Sequence, residues 1–462
     1  MEVLLSVVLL GNGALKEKVF LPFRWPFSQA HLCKLVKWYI LFMTQKLYCR
    51  NFLSWRYEEE EEISMELSRR IQQLTASPIR KLAPYAEAAK SRGVKVYHLN
   101  IGQPDIATSD VYFKAIREAK LTTVAYTNSQ GEKPLREAIS KYYAKWNIPY
   151  SPEEIIVTHG GTEALIIAML SVCDPGDEIL VFEPYYANYS SLAKAFNVTP
   201  RAVATDPETG YHLPDDKTIL ASLTDKTKLV ILTNPGNPTG SVYTADELKR
   251  LAKIVKDRGL FVLADEVYRE FVYEGSYTSM ASFDDIRDQV LIVDSVSKRY
   301  SACGARIGAL LSHNKELIAQ SMKYCQARLC VPSLEQIGAE AMYLHTADTY
   351  LKSVNDEYRH RRDTLHKALM AIPGVKCPMP SGAFYMMVTL PVDDSEKFAK
   401  WLLEEFQDAG ETVMLAPGAG FYGTPGKGVH EARVAYVLKE ADLLRAAELL
   451  KKALAVYPGR TC

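Results

Sequence analysis

Between about residues 130 and 310 the chain alternates stretches of helical periodicity with short runs that are apolar throughout. These runs are Ile155-Ile-Val-Thr, Glu178-Ile-Leu-Val-Phe, Lys228-Leu-Val-Ile-Leu-Thr, Leu260-Phe-Val-Leu-Ala and Val290-Leu-Ile-Val-Asp. A run without polar alternation has no solvent side, so it reads as a strand buried on both faces. Strands of that kind belong to a mostly parallel sheet between helices, and the fold class is α/β. After about residue 330 the pattern turns helical from Leu334 to Leu369. A Pro/Gly-rich turn (Pro378-Met-Pro-Ser-Gly), a short strand pair and a last helix from about Glu440 to Val456 follow. The pattern predicts a large domain over residues 111–329 and a smaller α+β domain assembled from both chain ends, residues 65–110 and 330–462.

The first 64 residues read differently. An apolar start (Val3 to Leu10) leads into an aromatic-basic stretch (Phe20 to Trp55) and a glutamate run, Glu58 to Glu62. The apolar run falls short of the roughly 20 residues that a membrane helix needs, and no basic flank or small-residue cleavage site marks a signal peptide. It shows no helical or strand period. Met65 then opens a conventional amphipathic segment, so residues 1–64 are read as an atypical extension from a start codon assigned too early.

With 462 residues the chain is long enough to bury a large core. Its 55 basic and 55 acidic residues cancel, which leaves no electrostatic footprint for nucleic acid or an anionic membrane. A small-molecule partner is the expectation. Eight cysteines at irregular spacings, with no C-x-x-C pair, argue against a disulfide framework and a zinc site. A reducing cytoplasm is the simplest location.

In open α/β sheets ligands sit beyond the carboxyl ends of the strands. The informative residues lie at such ends: Gly160-Gly-Thr162, Asn234, Asp265 and Ser295. A lone lysine is ordinarily a solvated charge. Lys298 has unusual neighbours: hydroxyls at Ser295 and Ser297, then Gly304 and Arg306, which together offer donors for a phosphate beside an amine. That combination suits a phosphorylated carbonyl compound held by the lysine. Asp265 follows an apolar run, where a carboxylate is costly unless partnered. It reads either as a helix N-cap or as the group that keeps a pyridine nitrogen protonated. Tyr268 follows on the same turn. Gly160-Gly-Thr162 opens a helix directly after a strand, a place where backbone amides cradle phosphate.

Asn234-Pro-Gly-Asn-Pro-Thr-Gly240, then Ala264-Asp-Glu-Val-Tyr268, then Ser295-Val-Ser-Lys298 with Gly304-Ala-Arg306-Ile-Gly308, in that order and spacing, resemble the class I/II aminotransferases of the fold-type I pyridoxal phosphate (PLP) superfamily. The resemblance is strongest to the prokaryotic aspartate aminotransferase branch and runs from about Ser77 to the carboxyl terminus. It implies that Lys298 is the covalent anchor of PLP, that Asp265 partners the pyridine nitrogen, and that Asn234 and Tyr268 hold the ring's phenolic oxygen. Ser295, Ser297 and Arg306 match phosphate ligands, with Gly161 and Thr162 at the helix end. An aromatic residue of Glu183-Pro-Tyr-Tyr186-Ala-Asn-Tyr189 stacks on the ring in the family; Tyr186 is aligned there, with Tyr185 the other choice. Tyr126, in Tyr126-Thr-x-x-x-Gly131-x-x-x-Leu-Arg136, matches a tyrosine that reaches the phosphate of a neighbouring subunit, which implies a homodimer with shared active sites.

Arg433, in Glu431-Ala-Arg433-Val-Ala-Tyr, resembles the arginine that clamps the substrate α-carboxylate, a task for a bidentate fork. Gly102, in Asn100-Ile-Gly102-Gln-Pro-Asp105, matches a loop whose backbone approaches the substrate. The implied activity is ping-pong transamination between an L-amino acid and a 2-oxo acid, with aspartate and 2-oxoglutarate expected. Some dicarboxylate-specific relatives place a lysine where this chain has Thr162, and Arg80 is the replacement cation expected here. Another fold-type I reaction, such as C–S β-elimination, is compatible with the same motifs. A PLP-binding regulator is disfavoured by the lack of a helix-turn-helix before residue 65.

Overall fold

The computed structural model describes residues 65–74 and 77–461, together with the backbone of two strands before residue 25. Contacts divide the chain into Met1–Glu66 and Leu67–Cys462. In the first unit, β1 (Glu2–Gly11) pairs antiparallel with β2 (Ala14–Arg24), Gly11 opposite Ala14. The expectation that Val3 to Leu10 has no strand character is therefore overturned. A period of two marks a strand buried on one face only; the Val-rich run from Val3 to Leu10 lacks that period yet keeps strand propensity, and Asn12-Gly13 after it is a hairpin signal. The remaining readings for residues 25–64, including the glutamate run, lie outside the described residues.

In the second unit the apolar runs become β4 (Ile155–His159), β5 (Glu178–Glu183), β7 (Thr227–Thr233), β8 (Phe261–Asp265) and β9 (Val290–Ser295). Two strands join them that the apolar pattern did not announce, β6 (Thr199–Ala204) and β10 (Ile307–Leu311). The spatial order is β4-β10-β9-β8-β7-β5-β6. Strands β5 to β9 run parallel, while β10 is antiparallel to both β9 and β4. That placement has a functional result. Ile307 pairs with His159 and Gly308 with Ser295, so β10 brings the helix start at Gly160 beside the segment that carries Lys298.

Both faces of the sheet are covered. On one side Ile156, Val181, Leu229, Leu263 and Leu310 pack with Leu165 and Ile167 of the helix Gly160–Val172. On the other, Val157, Leu180, Val230 and Val262 pack with Leu248, Leu251 and Val255 of the helix Ala245–Arg258. Each such fully buried aliphatic side chain contributes about 2 kcal/mol of transfer free energy.

The amino- and carboxyl-terminal parts of this unit meet where β3 (Lys95–His98) pairs in parallel with β12 (Glu411–Met414). A three-stranded antiparallel sheet, β11 (Tyr385–Thr389), β14 (Glu431–Ala435) and β13 (Ala416–Pro417), lies in the same region. The helices Ser395–Glu404 and Glu440–Val456 pack Phe398, Leu402, Leu443, Leu450 and Leu454 into this core. The helical stretch expected from Leu334 to Leu369 is two helices, Ser333–His345 and Asp348–Met370, separated by extended backbone at Thr346 and Ala347. Among the described residues no helix is long and apolar enough to cross a membrane, and no group of three or more His, Cys, Asp or Glu side chains is placed to hold a metal ion.

Candidate active site

Lys298 sits in a single helical turn, Val296–Arg299, directly after β9. Its Nζ donates to the Gly102 carbonyl at 2.9 Å and lies 5.9 Å from the centre of the Phe384 ring. The turn is fixed from below by two ion pairs with no solvent exposure, Arg299 with Asp294 and Arg269 with Glu266. The Tyr143 hydroxyl joins the pairs, donating to Asp294 at 2.9 Å and accepting from Arg269 at 3.1 Å. Charges removed from water in this way hold position through their partners.

Asp265 ends β8 and is 5% exposed. Its Oδ2 accepts from the Tyr189 hydroxyl at 2.7 Å, and that hydroxyl also contacts Thr233. Its Oδ1 has no side-chain hydrogen-bond partner among the described residues. Burial pushes the carboxyl up to about 6, against the Tyr189 hydrogen bond, which pulls it down. A buried carboxylate oxygen without a side-chain partner is the acceptor a protonated ring nitrogen needs.

The phosphate end is built from close backbone packing. Gly160 (φ 71°) opens the helix Gly160–Val172, and a Cβ on it would fall 2.6 Å from the Arg306 guanidinium. A Cβ on Gly308 would fall 2.4 Å from the Gly160 carbonyl carbon and 2.7 Å from the Gly161 nitrogen, so residue 308 has to be glycine. Arg306 donates to the carbonyls of Cys303 and His159, which keeps it over the helix start. Ser295 and Ser297, both buried, have their hydroxyls 2.7 Å apart. Gly161 and Thr162 follow in the first turn, with Gly161 facing Val293 and Ser295. Amides, two hydroxyls and a guanidinium around one helix N-terminus suit a phosphate. With Lys298 and Asp265 they form a donor set that fits PLP end to end.

On the opposite wall, Arg433 comes from β14 and is 1% exposed. Nη1 donates to Asn237 Oδ1 at 3.0 Å and Nη2 donates to the Asn100 carbonyl at 2.5 Å, while Nε has no partner among the described residues. The guanidinium carbon lies 4.4 Å from the centre of the Tyr385 ring and 5.0 Å from that of Phe421. No carboxylate pairs with it among the described residues. Burial pulls its pKa down, with the neighbouring tyrosines Tyr385, Tyr268 and Tyr186 on the other side of the balance.

Gly102 is in this group because the Tyr385 hydroxyl occupies the space its Cβ would take, at 1.8 Å. Tyr268, 3% exposed, sets its hydroxyl 2.8 Å from that of Tyr385. Tyr186 faces the same space, in the field of Tyr385, Asp265, Arg433 and Arg80. Tyr185 turns elsewhere, to Ser190 at 2.6 Å and against Gly423. Arg80 is exposed at the mouth, on a segment tied to the Asn100 loop by Asn100 Nδ2 donating to the Ile79 carbonyl at 2.7 Å. Tyr126 is 82% exposed and lines an open cavity of about 650 Å³ with His159, Cys330 and Pro332.

The two asparagines of Asn234-Pro-Gly-Asn237 sit in different surroundings. Asn234, assigned to a ring oxygen, has its amide engaged by backbone: Nδ2 donates to the Thr278 carbonyl at 3.2 Å and Oδ1 accepts from the Tyr243 N–H at 3.1 Å. A residue that leaves a buried strand has to satisfy the turn that follows, and an asparagine does so with its side chain. The second asparagine of the doublet, Asn237, is the one turned toward Arg433. Tyr189 and Tyr385 were also missed. The Tyr185-Tyr186-x-x-Tyr189 spacing could have indicated Tyr189, whereas nothing local marks Tyr385.

Comparison with known proteins places the chain. Residues 94–448 match the family described as aminotransferase class I and II. A probable aspartate/prephenate aminotransferase of Aquifex aeolicus is 32% identical over 396 residues, covering 84% of this chain and 98% of that protein. Among solved structures, the aspartate aminotransferase of Thermus thermophilus with maleate has a TM-score of 0.78 at 28% identity, covering 84% of this chain and all (100%) of that one. An alanine aminotransferase of Pyrococcus furiosus has a TM-score of 0.77 at 28% identity, covering 84% and 99%. The chain belongs to the class I and II aminotransferases and is a PLP-dependent enzyme of amino-group transfer.

Proposed function

We propose that this enzyme transfers the amino group of aspartate to 2-oxoglutarate, with Arg433 as the anchor for the α-carboxylate of both. The observation that carries the reading is a guanidinium with 1% exposure and no carboxylate partner among the described residues, bonded to the Asn100 carbonyl two residues before the Gly102 carbonyl that receives Lys298. An unpaired buried cation is unfavourable, so a carboxylate that enters the site relieves it.

Bound PLP supplies an electron sink for charge that develops at the amino acid's Cα. The chain does the rest. Lys298 would hold the cofactor and, as a free neutral amine, would accept the Cα proton and return it as the ammonium. Asp265 keeps a proton on the ring nitrogen, with Tyr189 orienting its other oxygen. Tyr268 holds the ring's phenolic oxygen, and Tyr186 covers the ring face; its outlook toward Asp265 and Arg433 favours it over Tyr185. Ser295, Ser297, Arg306, Gly161 and Thr162 hold the phosphate. Asn237 takes the place first given to Asn234, since it lies between Arg433 and the end of β7.

The dicarboxylate preference rests on two supports. The Aquifex and Thermus relatives carry aspartate in their names, and the latter was solved with maleate, itself a dicarboxylate. Arg80 is the cation proposed for the distal carboxylate, because its charge reaches Tyr186 from the mouth of the site. A homodimer in which Tyr126 reaches the partner's phosphate accounts for a tyrosine left 82% exposed. A cytoplasmic location completes the proposal, as does a small domain formed by residues 65–110 and 330–462 around residues 111–329; the pairing of β3 with β12 supports the latter.

Turnover of purified enzyme with a panel of amino donors and oxo-acid acceptors tests the reading. Aspartate should exceed alanine in kcat/KM, and Arg80→Ala should raise KM for aspartate about two- to fivefold, as loss of one exposed charge contact does, and leave alanine unchanged. An unchanged aspartate-to-alanine ratio would refute the role of Arg80. Pyruvate and ammonia released from a cysteine conjugate would select β-elimination instead.

A further inference from the structure

Tyr385 begins β11, is 2% exposed, and touches several parts of the site. Its hydroxyl lies 2.8 Å from that of Tyr268 and fills the space over Gly102, the residue whose carbonyl receives Lys298 Nζ. Its ring stacks on the Arg433 guanidinium at 4.4 Å, opposite Phe421. Its carbonyl abuts Gly240 (φ 72°), at the end of the loop that carries Asn237. The two ring planes of Tyr268 and Tyr385 stand at 84°, so the phenols meet through their hydroxyls and edges rather than their faces.

Each phenol has one proton. Between the pair alone, either hydroxyl can donate. An anionic oxygen next to Tyr268 is a stronger acceptor than a neutral phenol and takes the Tyr268 proton. The Tyr268 oxygen then accepts from Tyr385, and a donor that is itself receiving a hydrogen bond donates more strongly. We propose that Tyr385 is a positioning residue that couples the two ends of the site: its ring holds the Arg433 fork flat for the carboxylate, and its hydroxyl donates to Tyr268 so that Tyr268 can donate to the cofactor's phenolic oxygen. The inference rests on the proposed placement of Tyr268 at that oxygen. The other groups that act on Tyr268 are Asp265 and Tyr186, with Arg433 behind Tyr385 and Lys298 beside Phe384.

Ring and hydroxyl separate by substitution. In the full-length, PLP-loaded enzyme, the visible spectrum followed against pH gives the protonation midpoint of the lysine-bound cofactor. Without the Tyr385 hydroxyl the phenolic oxygen is less well stabilised as an anion, so Tyr385→Phe should raise the midpoint by about half to one pH unit, the size of one hydrogen bond, with KM for aspartate within about twofold of wild type. Tyr385→Leu should raise the midpoint similarly and also raise KM about tenfold or more, since the cation–π contact is lost. Tyr268→Phe is the control and should raise the midpoint further. A midpoint that moves in Tyr268→Phe but not in Tyr385→Phe overturns the coupling alone. If neither variant moves it, the placement of Tyr268 fails as well. Equal loss of PLP affinity in both Tyr385 variants at an unmoved midpoint would make Tyr385 a packing residue and also overturn the proposal.

Discussion

Arg433→Met replaces a buried cation by an apolar chain of similar reach between Tyr385 and Phe421, and its effects on stability and on turnover should diverge. Removing the guanidinium deletes two hydrogen bonds, to Asn237 and to the Asn100 carbonyl, worth about 1.5–3 kcal/mol each because the donor is charged. It also removes an unpaired charge at 1% exposure, whose burial costs several kcal/mol. The two sides offset to within about 2 kcal/mol, so urea denaturation of the PLP-loaded variant should fall within that distance of wild type. Turnover has no such offset. A substrate carboxylate that loses its buried partner forfeits about 3–5 kcal/mol, or roughly 150- to 5000-fold in kcat/KM. Steady-state kinetics with aspartate and 2-oxoglutarate supply the assay, and Arg433→Lys, which keeps the charge without the fork, should fall between the two. The reasoning is refuted if Arg433→Met retains kcat/KM within about tenfold, or if the loss of activity only follows loss of folded protein.

Other predictions follow from the same geometry. Asp265 has a folded-state pKa of about 6 against 3.8 for the free side chain. Its contribution to stability is therefore fully present below about pH 3.8 and is lost as pH rises through 6, an amount of about 3 kcal/mol; cofactor-free Asp265→Asn should lack that fall in urea denaturation between about pH 4 and 6.5, and an identical pH slope would count against it. Gly308→Ala forces a Cβ into the Gly160–Gly161 backbone and should weaken PLP binding at least about tenfold by fluorescence titration, as a shifted helix N-terminus loses its phosphate contacts. Asn237→Ala should raise substrate KM with little change in stability, whereas Asn234→Ala should lower stability by about 1–3 kcal/mol through the freed Tyr243 N–H and Thr278 carbonyl and leave KM nearly unmoved. The reverse pattern would restore Asn234 to the site.

Much of the architecture was legible because burial on both faces leaves a plain signature. The runs at β4, β5, β7, β8 and β9 are apolar throughout, and the residues just past their ends are the polar ones that chemistry needs. Strand β6 carries Pro200 and Arg201 in a partly exposed edge, which breaks that signature. In β10, Gly308 is dictated by contact with Gly160 at the start of a helix far away in sequence, so Ile307–Leu311 resembled the end of a motif more than a strand. The β1–β2 hairpin was hidden because its second strand sets Lys16, Glu17, Lys18 and Pro22 among apolar residues, so no period stands out. Within the site, Lys298, Asp265 and Arg306 stand in motifs whose spacing is local. Tyr385 acquires its importance only when Gly102, Tyr268 and Arg433, far apart in sequence, converge on it, and the choice between Asn234 and Asn237 depends on which amide the turn consumes. Such contacts leave no trace in periodicity or composition.

The central claim is that Lys298 is the residue bound to the cofactor, and borohydride reduction of the PLP-loaded enzyme followed by peptide mass analysis tests it most directly. The account predicts a single pyridoxyl label, on the peptide containing Ser295 to Arg299, and none in Lys298→Ala. A label on another lysine, or the same label in Lys298→Ala, would contradict it.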